Sequence, residues 1–420
     1  MDSISWALWP QQTMRVLLTN TGPWGTGSAV VADAVLQELR RLGHAAALCF
    51  PDAQFKSPDK KYYYSKPNLY FIWRFPVKRH GRVLHTFPLM IPDPHPRNVP
   101  RAWTFRDLSD ELLEFYFAEA ERRLKQAIDR FRPDIIECQH IWTDAYLARK
   151  MGWPYVAVAH HSDQMGFRYD PRMQSYAKAA AAGASWIFAI SDFVKGEVLE
   201  LYPGVHEKQV VVLENGYNQQ IFYPRDCSRA GIFRALEMEV PPRIPIVTFA
   251  GKLSRTKGID ILLGANRLIQ RERKVLLLLA GAGRIEDEFT SEERAEFYWE
   301  NVRFLGPIQQ RVLAKLHNLA SLSVMPSRSE GFGIAGLEAM GCGTPVVATR
   351  SGGPESFVVG KIVEPGNVED LAAAVVELLD LKPRVARDLR RSAYEKARSY
   401  CWREIVQGRL NCFRETLGLR

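Results

Sequence analysis

Two glutamates, Glu330 and Glu338, sit in the most informative stretch of the chain, Pro326–Glu355 (PSRSEGFGIAGLEAMGCGTPVVATRSGGPE). A strand pattern ends at Pro326, a glycine-broken loop follows, and helical text begins near Ile334. The first amides of a helix have no intrahelical acceptor, and its dipole favours negative charge, so this start is an anion site. Gly331 and Gly333 let the backbone approach a ligand closely. Glu330 falls in the loop and Glu338 about one turn into the helix. The pair can therefore address two polar parts of one elongated ligand; the competing assignment is a surface loop with two solvated carboxylates. Lys252 and Lys257 follow the strand pattern Ile246–Ala250, where ligands of open α/β sheets lie. Simple solvation on an exposed turn is the alternative for them. His140 and the pair His160–His161 close two buried strand patterns at their carboxyl ends. Such histidines are either active-site groups or satisfied structural ones.

The elements that must carry these residues read as alternating strands and helices. Met14–Asn20 is a buried strand pattern, a glycine-rich turn (TGPWGTG) follows, and Val31, Val35, Leu39 and Leu42 recur at helical spacing. Ala45–Phe50 completes a βαβ unit, which implies a parallel sheet covered on both faces. Leu108–Phe131 is an amphipathic helix pattern. Strand patterns then recur at Asp134–Cys138, Tyr155–Ala159, Trp186–Ile190 and Val210–Leu213. A second series runs through Ile246–Ala250, Val275–Ala280, Val302–Leu305, Ser321–Met325 and Pro345–Thr349. Helices are expected at about Asp370–Leu379, Arg384–Tyr400 and Trp402–Leu417. The fold class predicted is α/β, with two doubly wound parallel-sheet domains and a cleft between them. The expected boundaries are 1–223, 224–400 and a C-terminal helix 401–420. Residues 51–105, rich in Tyr, Pro and basic side chains, read as a long irregular insertion, with Pro88, Pro92, Pro94 and Pro96 forbidding a long helix. The aromatic cluster Tyr62–Trp73 could line a pocket, touch lipid or pack. His80, His85 and His95 show no ligand spacing.

The Pro326–Glu355 text resembles the Glu-x7-Glu signature of the large retaining glycosyltransferase family 4, whose members have two facing Rossmann-like domains of the GT-B type. The flanking Pro-Ser-x-x-Glu-Gly-Phe-Gly, Leu-Glu-Ala-Met and Thr-Pro-Val-Val-Ala fit, as does a shortened Gly-Gly-x-x-Glu. Ser191 with Val212–Phe222 (VLENGYNQQIF) is similar to the family's domain-junction segment. Gly251–Gly258 (GKLSRTKG) is similar to its Gly-Arg-Leu-x-x-x-Lys-Gly turn, and Val302–Gly306 to its Val-x-Phe-Leu-Gly. The resemblance spans roughly residues 14–50 and 130–418.

It implies a nucleotide-diphosphate sugar as co-substrate, with Lys252 and Lys257 holding the diphosphate. The family usually has Arg at the position of Lys252, and Arg255 could share that task. Glu338 would accept hydrogen bonds from the ribose hydroxyls, and Glu330 would lie beside the donor sugar. Gly331, Phe332, Gly333 and Ile334 would border the donor, and Pro307, within Gly306–Ile308, would meet the base edge. Gly25 and Gly27 resemble the glycine loop that closes over the phosphates. Alone they are a weak signal, since Val30 does not complete a dinucleotide fingerprint. His140 corresponds to the histidine near the donor sugar, and His160 and His161 to a further substrate-side segment. The resemblance also implies a front-face substitution with retention, catalysed by Glu330 and His140 through positioning and charge stabilisation.

Composition narrows the classes further. The chain has 420 residues, 46% hydrophobic and 25% charged, which excludes a disordered or fibrous protein and favours two domains. A formal net charge of +9 suits a phosphorylated ligand or an anionic surface without choosing between them. The six cysteines form no CxxC or Cys/His ligand spacing, so neither structural zinc nor a disulfide framework is expected. Asp-x-Asp is absent, so no metal and no cofactor are expected. Met1–Gln12 lacks the pattern of a secretory signal, and the longest apolar stretches fall short of the ~20 residues of a membrane span. A cytoplasmic enzyme, with peripheral membrane contact left open, is the expectation. Its acceptor is a small molecule, a glycan or a lipid-linked sugar; no nucleic-acid partner is expected. The rival readings are a nucleotide-sugar epimerase or phosphorylase on the same architecture, and a non-catalytic nucleotide-sugar-binding protein.

Overall fold

A computed structural model describes residues 12–52, 60–92, 104–240 and 243–419. The stretch Met1–Gln11, Pro94, His95, Pro96, Pro241 and Pro242 lie outside the described residues. The strands are β1 (Arg15–Asn20), β2 (Ala45–Asp52), β3 (Tyr70–Arg74), β4 (Val77–Arg79), β5 (Arg82–Leu84), β6 (Ile135–Gln139), β7 (Tyr155–Ala159), β8 (Ile187–Ala189), β9 (Val210–Val212), β10 (Ile246–Ala250), β11 (Leu276–Ala280), β12 (Val302–Gly306), β13 (Leu322–Met325), β14 (Val346–Thr349) and β15 (Gly360–Val363). They form a seven-stranded sheet of order β3-β2-β1-β6-β7-β8-β9 and a six-stranded sheet of order β12-β11-β10-β13-β14-β15. Every pairing in both is parallel. Parallel sheets need both faces covered, which explains the near-continuous apolar runs: Ile135–Gln139, Tyr155–Ala159 and Leu276–Ala280 are buried throughout.

The order of each sheet reverses direction beside one strand pair, β1/β6 in the first and β10/β13 in the second. Ligands of open α/β sheets bind outside the carboxyl ends at such switch points. The loops that leave these four strands carry Gly25–Gly27, His140, Lys252–Lys257 and Glu330–Gly333, so topology gathers the expected site.

The insertion read as irregular is partly ordered into the sheet. A short helix (Lys60–Tyr64) leads into β3, which pairs parallel with β2, and β4 and β5 make an antiparallel hairpin. Tyr63, Tyr70 and Trp73 are buried, and Trp24 packs on Phe50, Tyr62, Tyr63 and Tyr70. The aromatic cluster therefore packs. An edge strand needs only one neighbour, so its text shows no sustained alternation, and the nearby Pro67 and Pro76 disguise it. β15 and the helix Arg229–Ala235 are likewise additions to the sequence reading.

The last helix, Trp402–Thr416, returns to the first sheet. Val406, Leu410 and Phe413 are buried in the same core as β1 and β8, and Phe413 lies 6.1 Å from Phe188 between ring centroids. At its start the Trp402 ring abuts Gly216, where an added Cβ would approach the indole to 2.9 Å.

Candidate active site

The cleft between the two sheets has a volume of about 520 Å³. Two helix starts face it from opposite sides. Helix Gly27–Arg41 presents Gly25, Thr26, Gly27 and Ser28, and helix Ile334–Gly341 presents Gly333, Ile334 and Ala335. The Thr26 hydroxyl caps the first helix, accepting from the Ala29 amide at 3.4 Å, which leaves the earlier amides for a ligand. Lys252 and Lys257 line the same space. A ligand with adjacent negative charges meets two dipole ends and two ammonium groups here.

Gly333 has φ of 101° as the cap of its helix, a conformation glycine adopts without strain. A Cβ there would also stand 2.8 Å from the Met325 thioether. At Gly331 a Cβ would come within 2.8 Å of the His161 Cβ and 3.0 Å of the His160 carbonyl oxygen. The loop is thus pressed against the first sheet. Phe332 anchors it from behind, with ring centroids 4.9 Å from Phe357 and 5.9 Å from Tyr400.

Glu330 is fixed by its backbone and its side chain together. Its amide donates to the Ser351 carbonyl and its own carbonyl accepts from the Gly353 amide, each at 2.9 Å. Its carboxylate accepts from Lys257 Nζ at 2.7 Å and from the Ser327 hydroxyl at 3.2 Å. Lys257 is therefore already paired in this structure, and any anion bound to it must compete with Glu330.

Glu338 lies around a corner. It lines a second cavity, also of about 520 Å³, that shares Gly25 and Ile334 with the first. Burial pushes its carboxyl up to about 8, and no hydrogen-bonding or ionic partner meets it among the described residues. Gln310 and Trp402 line this second cavity as well.

The histidines divide into two kinds. His140, 4% exposed, lines the cleft at the end of β6 with φ of 139°, and its buried Nδ1 has no partner. Burial lowers it to about 3, so the ring is neutral at physiological pH. His160 lies 5.1 Å away between ring centroids, and burial likewise holds it well below the usual imidazole range. The Asp163 carboxylate sets both strand ends, accepting from the Ile141 and His160 amides at 2.9 Å each. His161 is committed elsewhere. Its Nδ1 bonds Glu197 at 2.6 Å and its Nε2 the Ser329 hydroxyl at 2.7 Å, while Arg168 donates to the same Glu197 at 2.6 Å. With Ser191 Oγ donating to the Gly331 carbonyl at 2.7 Å, this clasps the glutamate loop to the first sheet.

Two expected contacts fall outside the site. Arg255 turns away, because its guanidinium is paired with Glu293 at 2.5 Å and stacked 4.7 Å above Phe289. Pro307 is exposed and lines neither cavity, since β12 is the far edge of its sheet. Residues not singled out in the sequence also line the cleft: Asn215, Ser327, Ser329 and the run Pro88–Ile91. Asn215 was legible within the VLENGYNQQIF text. Pro88–Ile91 carried no signal, because apolar walls look like core. Among the described residues, no group of three His, Cys, Asp or Glu side chains is arranged to hold a metal ion.

Two facing doubly wound sheets, with a cleft over both switch points, make a fold of the GT-B type. Solved structures share that fold: sucrose-phosphate synthase of Thermosynechococcus elongatus has a TM-score of 0.71 at 20% identity, covering 96% of this chain and 99% of that one. The HepE protein of Anabaena, in complex with UDP and glucose, has a TM-score of 0.72 at 17% identity, covering 96% and 100%. The model of Glycosyltransferase Family 4 matches residues 25–220, and that of Glycosyl transferases group 1 matches residues 244–381. A D-inositol 3-phosphate glycosyltransferase of Saccharomonospora viridis is 30% identical over 66% of this chain and 69% of its own length. An uncharacterized glycosyltransferase of Methanocaldococcus jannaschii is 25% identical over 74% and 82%. The chain belongs to glycosyltransferase family 4.

Proposed function

We propose that this enzyme moves a sugar, a hexose in the simplest case, from a nucleotide-diphosphate sugar to an acceptor, with retention and without a metal ion. The observation that carries the reading is the convergence of two helix starts and two lysines on one cleft. In it, the diphosphate spans Gly25–Gly27, Lys252, Lys257 and Gly333–Ile334. The ribose turns the corner at Ile334 to Glu338, and the base runs toward Gln310. That HepE was solved with UDP and glucose supports a nucleotide-sugar donor here.

Donor binding belongs to residues 224–400 and acceptor binding to 1–223, with the start of the helix Trp402–Thr416 bordering the second cavity. The acceptor oxygen attacks the anomeric carbon on the face the phosphate leaves. The carbon–oxygen bond to phosphate breaks with its electron pair on the phosphate oxygen, which takes the acceptor's proton. Positive charge from Lys252, Lys257 and the helix ends stabilises the departing diphosphate, and Glu330 and neutral His140 border the sugar. The absence of Asp-x-Asp and the supply of lysines support metal independence. No cofactor is required beyond the donor. Six free cysteines fit a reducing cytoplasmic setting. Among the described residues no helix is long and apolar enough to cross a membrane, and peripheral contact with a lipid-linked acceptor stays compatible with the net charge of +9.

Thermal denaturation with UDP, GDP and ADP, each with excess chelator, tests this reading. The matching diphosphate at ~100 times its dissociation constant stabilises by about 2.7 kcal/mol. Stabilisation that needs an added divalent ion, or that fails for all three, contradicts it.

A further inference from the structure

We propose that Arg409, on the last helix, is a positioning residue that fixes His160 in the cleft through Glu137 and Gln139. The inference rests on the proposed function only for its kinetic consequence. Arg409 and Glu137 are fully buried and ion-paired, and Arg409 stacks 5.5 Å from the centre of the Phe188 ring. Glu137 Oε1 also accepts from Gln139 Nε2 at 2.5 Å. Gln139 Oε1 stands 2.8 Å from His160 Nε2, and His160 lines the cleft. The link runs from a helix 272 residues distant in sequence to the edge of the site.

Each joint has one chemically allowed polarity. Guanidinium only donates, and the Arg409 ion pair opposes the burial that raises the Glu137 carboxyl, so Glu137 is taken as the carboxylate. A carboxylate only accepts, so Gln139 turns its amide nitrogen toward it and its carbonyl oxygen toward His160. A carbonyl only accepts, so His160 carries its proton on Nε2. Nδ1 is then the bare acceptor of a neutral ring, suited to receive a hydrogen bond from a sugar hydroxyl. Without the chain, Gln139 can rotate and His160 can exchange tautomers, and the acceptor is lost part of the time.

The test is a long-range 1H–15N correlation spectrum of the full chain labelled with 15N-histidine, with His160 assigned by its loss in His160→Gln. The expected result is a pure Nε2–H tautomer in the native protein and in Arg409→Lys, which keeps the charge. Gln139→Met should give a mixture or the Nδ1–H form. The paired variant Glu137→Met/Arg409→Met removes both charges together, avoids a lone buried ion, and should do the same. With any accepted donor, Gln139→Met should lower kcat/KM about tenfold. A native Nδ1–H form, or an Nε2–H form that persists in Gln139→Met, overturns the proposal. So does a loss of activity with the tautomer unchanged, which would mark a structural role. If no nucleotide sugar is turned over, the proposed function fails, yet the spectrum still decides the positioning chain.

Discussion

Lys257→Ala is expected to weaken binding of the matching nucleoside diphosphate about a hundredfold or more, while binding of the free nucleoside changes by less than about threefold. A charge-assisted hydrogen bond contributes roughly 1.5–3 kcal/mol, or about ten- to a hundredfold. The structure adds a second loss. Lys257 neutralises Glu330 at 2.7 Å, and its removal leaves that carboxylate facing the phosphates unpaired. The double variant Lys257→Ala/Glu330→Gln should therefore bind the diphosphate more tightly than Lys257→Ala alone, a non-additivity expected of contacting residues. Titration calorimetry with diphosphate and nucleoside on the three variants checks it. Equal losses for both ligands would mean that Lys257 does not meet the phosphates.

The second large effect separates the two glutamates. On the proposed reading, Glu338→Ala should raise the donor KM about ten- to a hundredfold with kcat nearly intact, because hydrogen bonds to the ribose would be made in ground and transition state alike. Glu330→Gln should chiefly lower kcat at saturating donor, since on the proposed reading Glu330 borders the reacting sugar and is paired with Lys257, which would meet the leaving group. Glu338 also predicts a pH dependence. Burial pushes its carboxyl up to about 8, so the carboxylate form gains population as pH rises through 8. Donor affinity in the native enzyme should rise through pH 8 and flatten only above about 9, and Glu338→Gln should abolish the trend. Steady-state kinetics from pH 6 to about 9 checks both claims. Intact turnover in both variants would move the chemistry elsewhere.

The parts of the site legible in the sequence are those whose chemistry is local. Glu330, Gly331, Gly333 and the helix start at Ile334 lie in one loop, so their spacing alone orders them on an anion site. The lysines and histidines were legible by position, because a strand pattern shows where its carboxyl end falls. What escaped depends on partners far away in the chain. Arg255 reads as a free cation until Glu293 and Phe289 fold against it. His161 reads like His160 until Ser329, 168 residues later, takes its Nε2. Glu137 and Gln139 did carry a signal: two polar side chains two apart in a buried strand require buried partners. Which partners these are, Arg409 and His160, only the packing of the last helix reveals. In the fold, the buried strands were legible from their apolar runs, as were the edge strands β9 and β12, whereas the edge strands β3 and β15 were not.

The most direct test of a retaining transfer in this cleft needs no knowledge of the acceptor. Water can take the acceptor's place, and at enzyme concentrations that make release faster than mutarotation 1H NMR observes the anomer formed first. With α-linked UDP-, GDP- and ADP-hexoses in excess chelator, the account predicts that one donor yields the α-anomer first, in step with its nucleoside diphosphate. The β-anomer appearing first, or no diphosphate released from any of these donors, would contradict it.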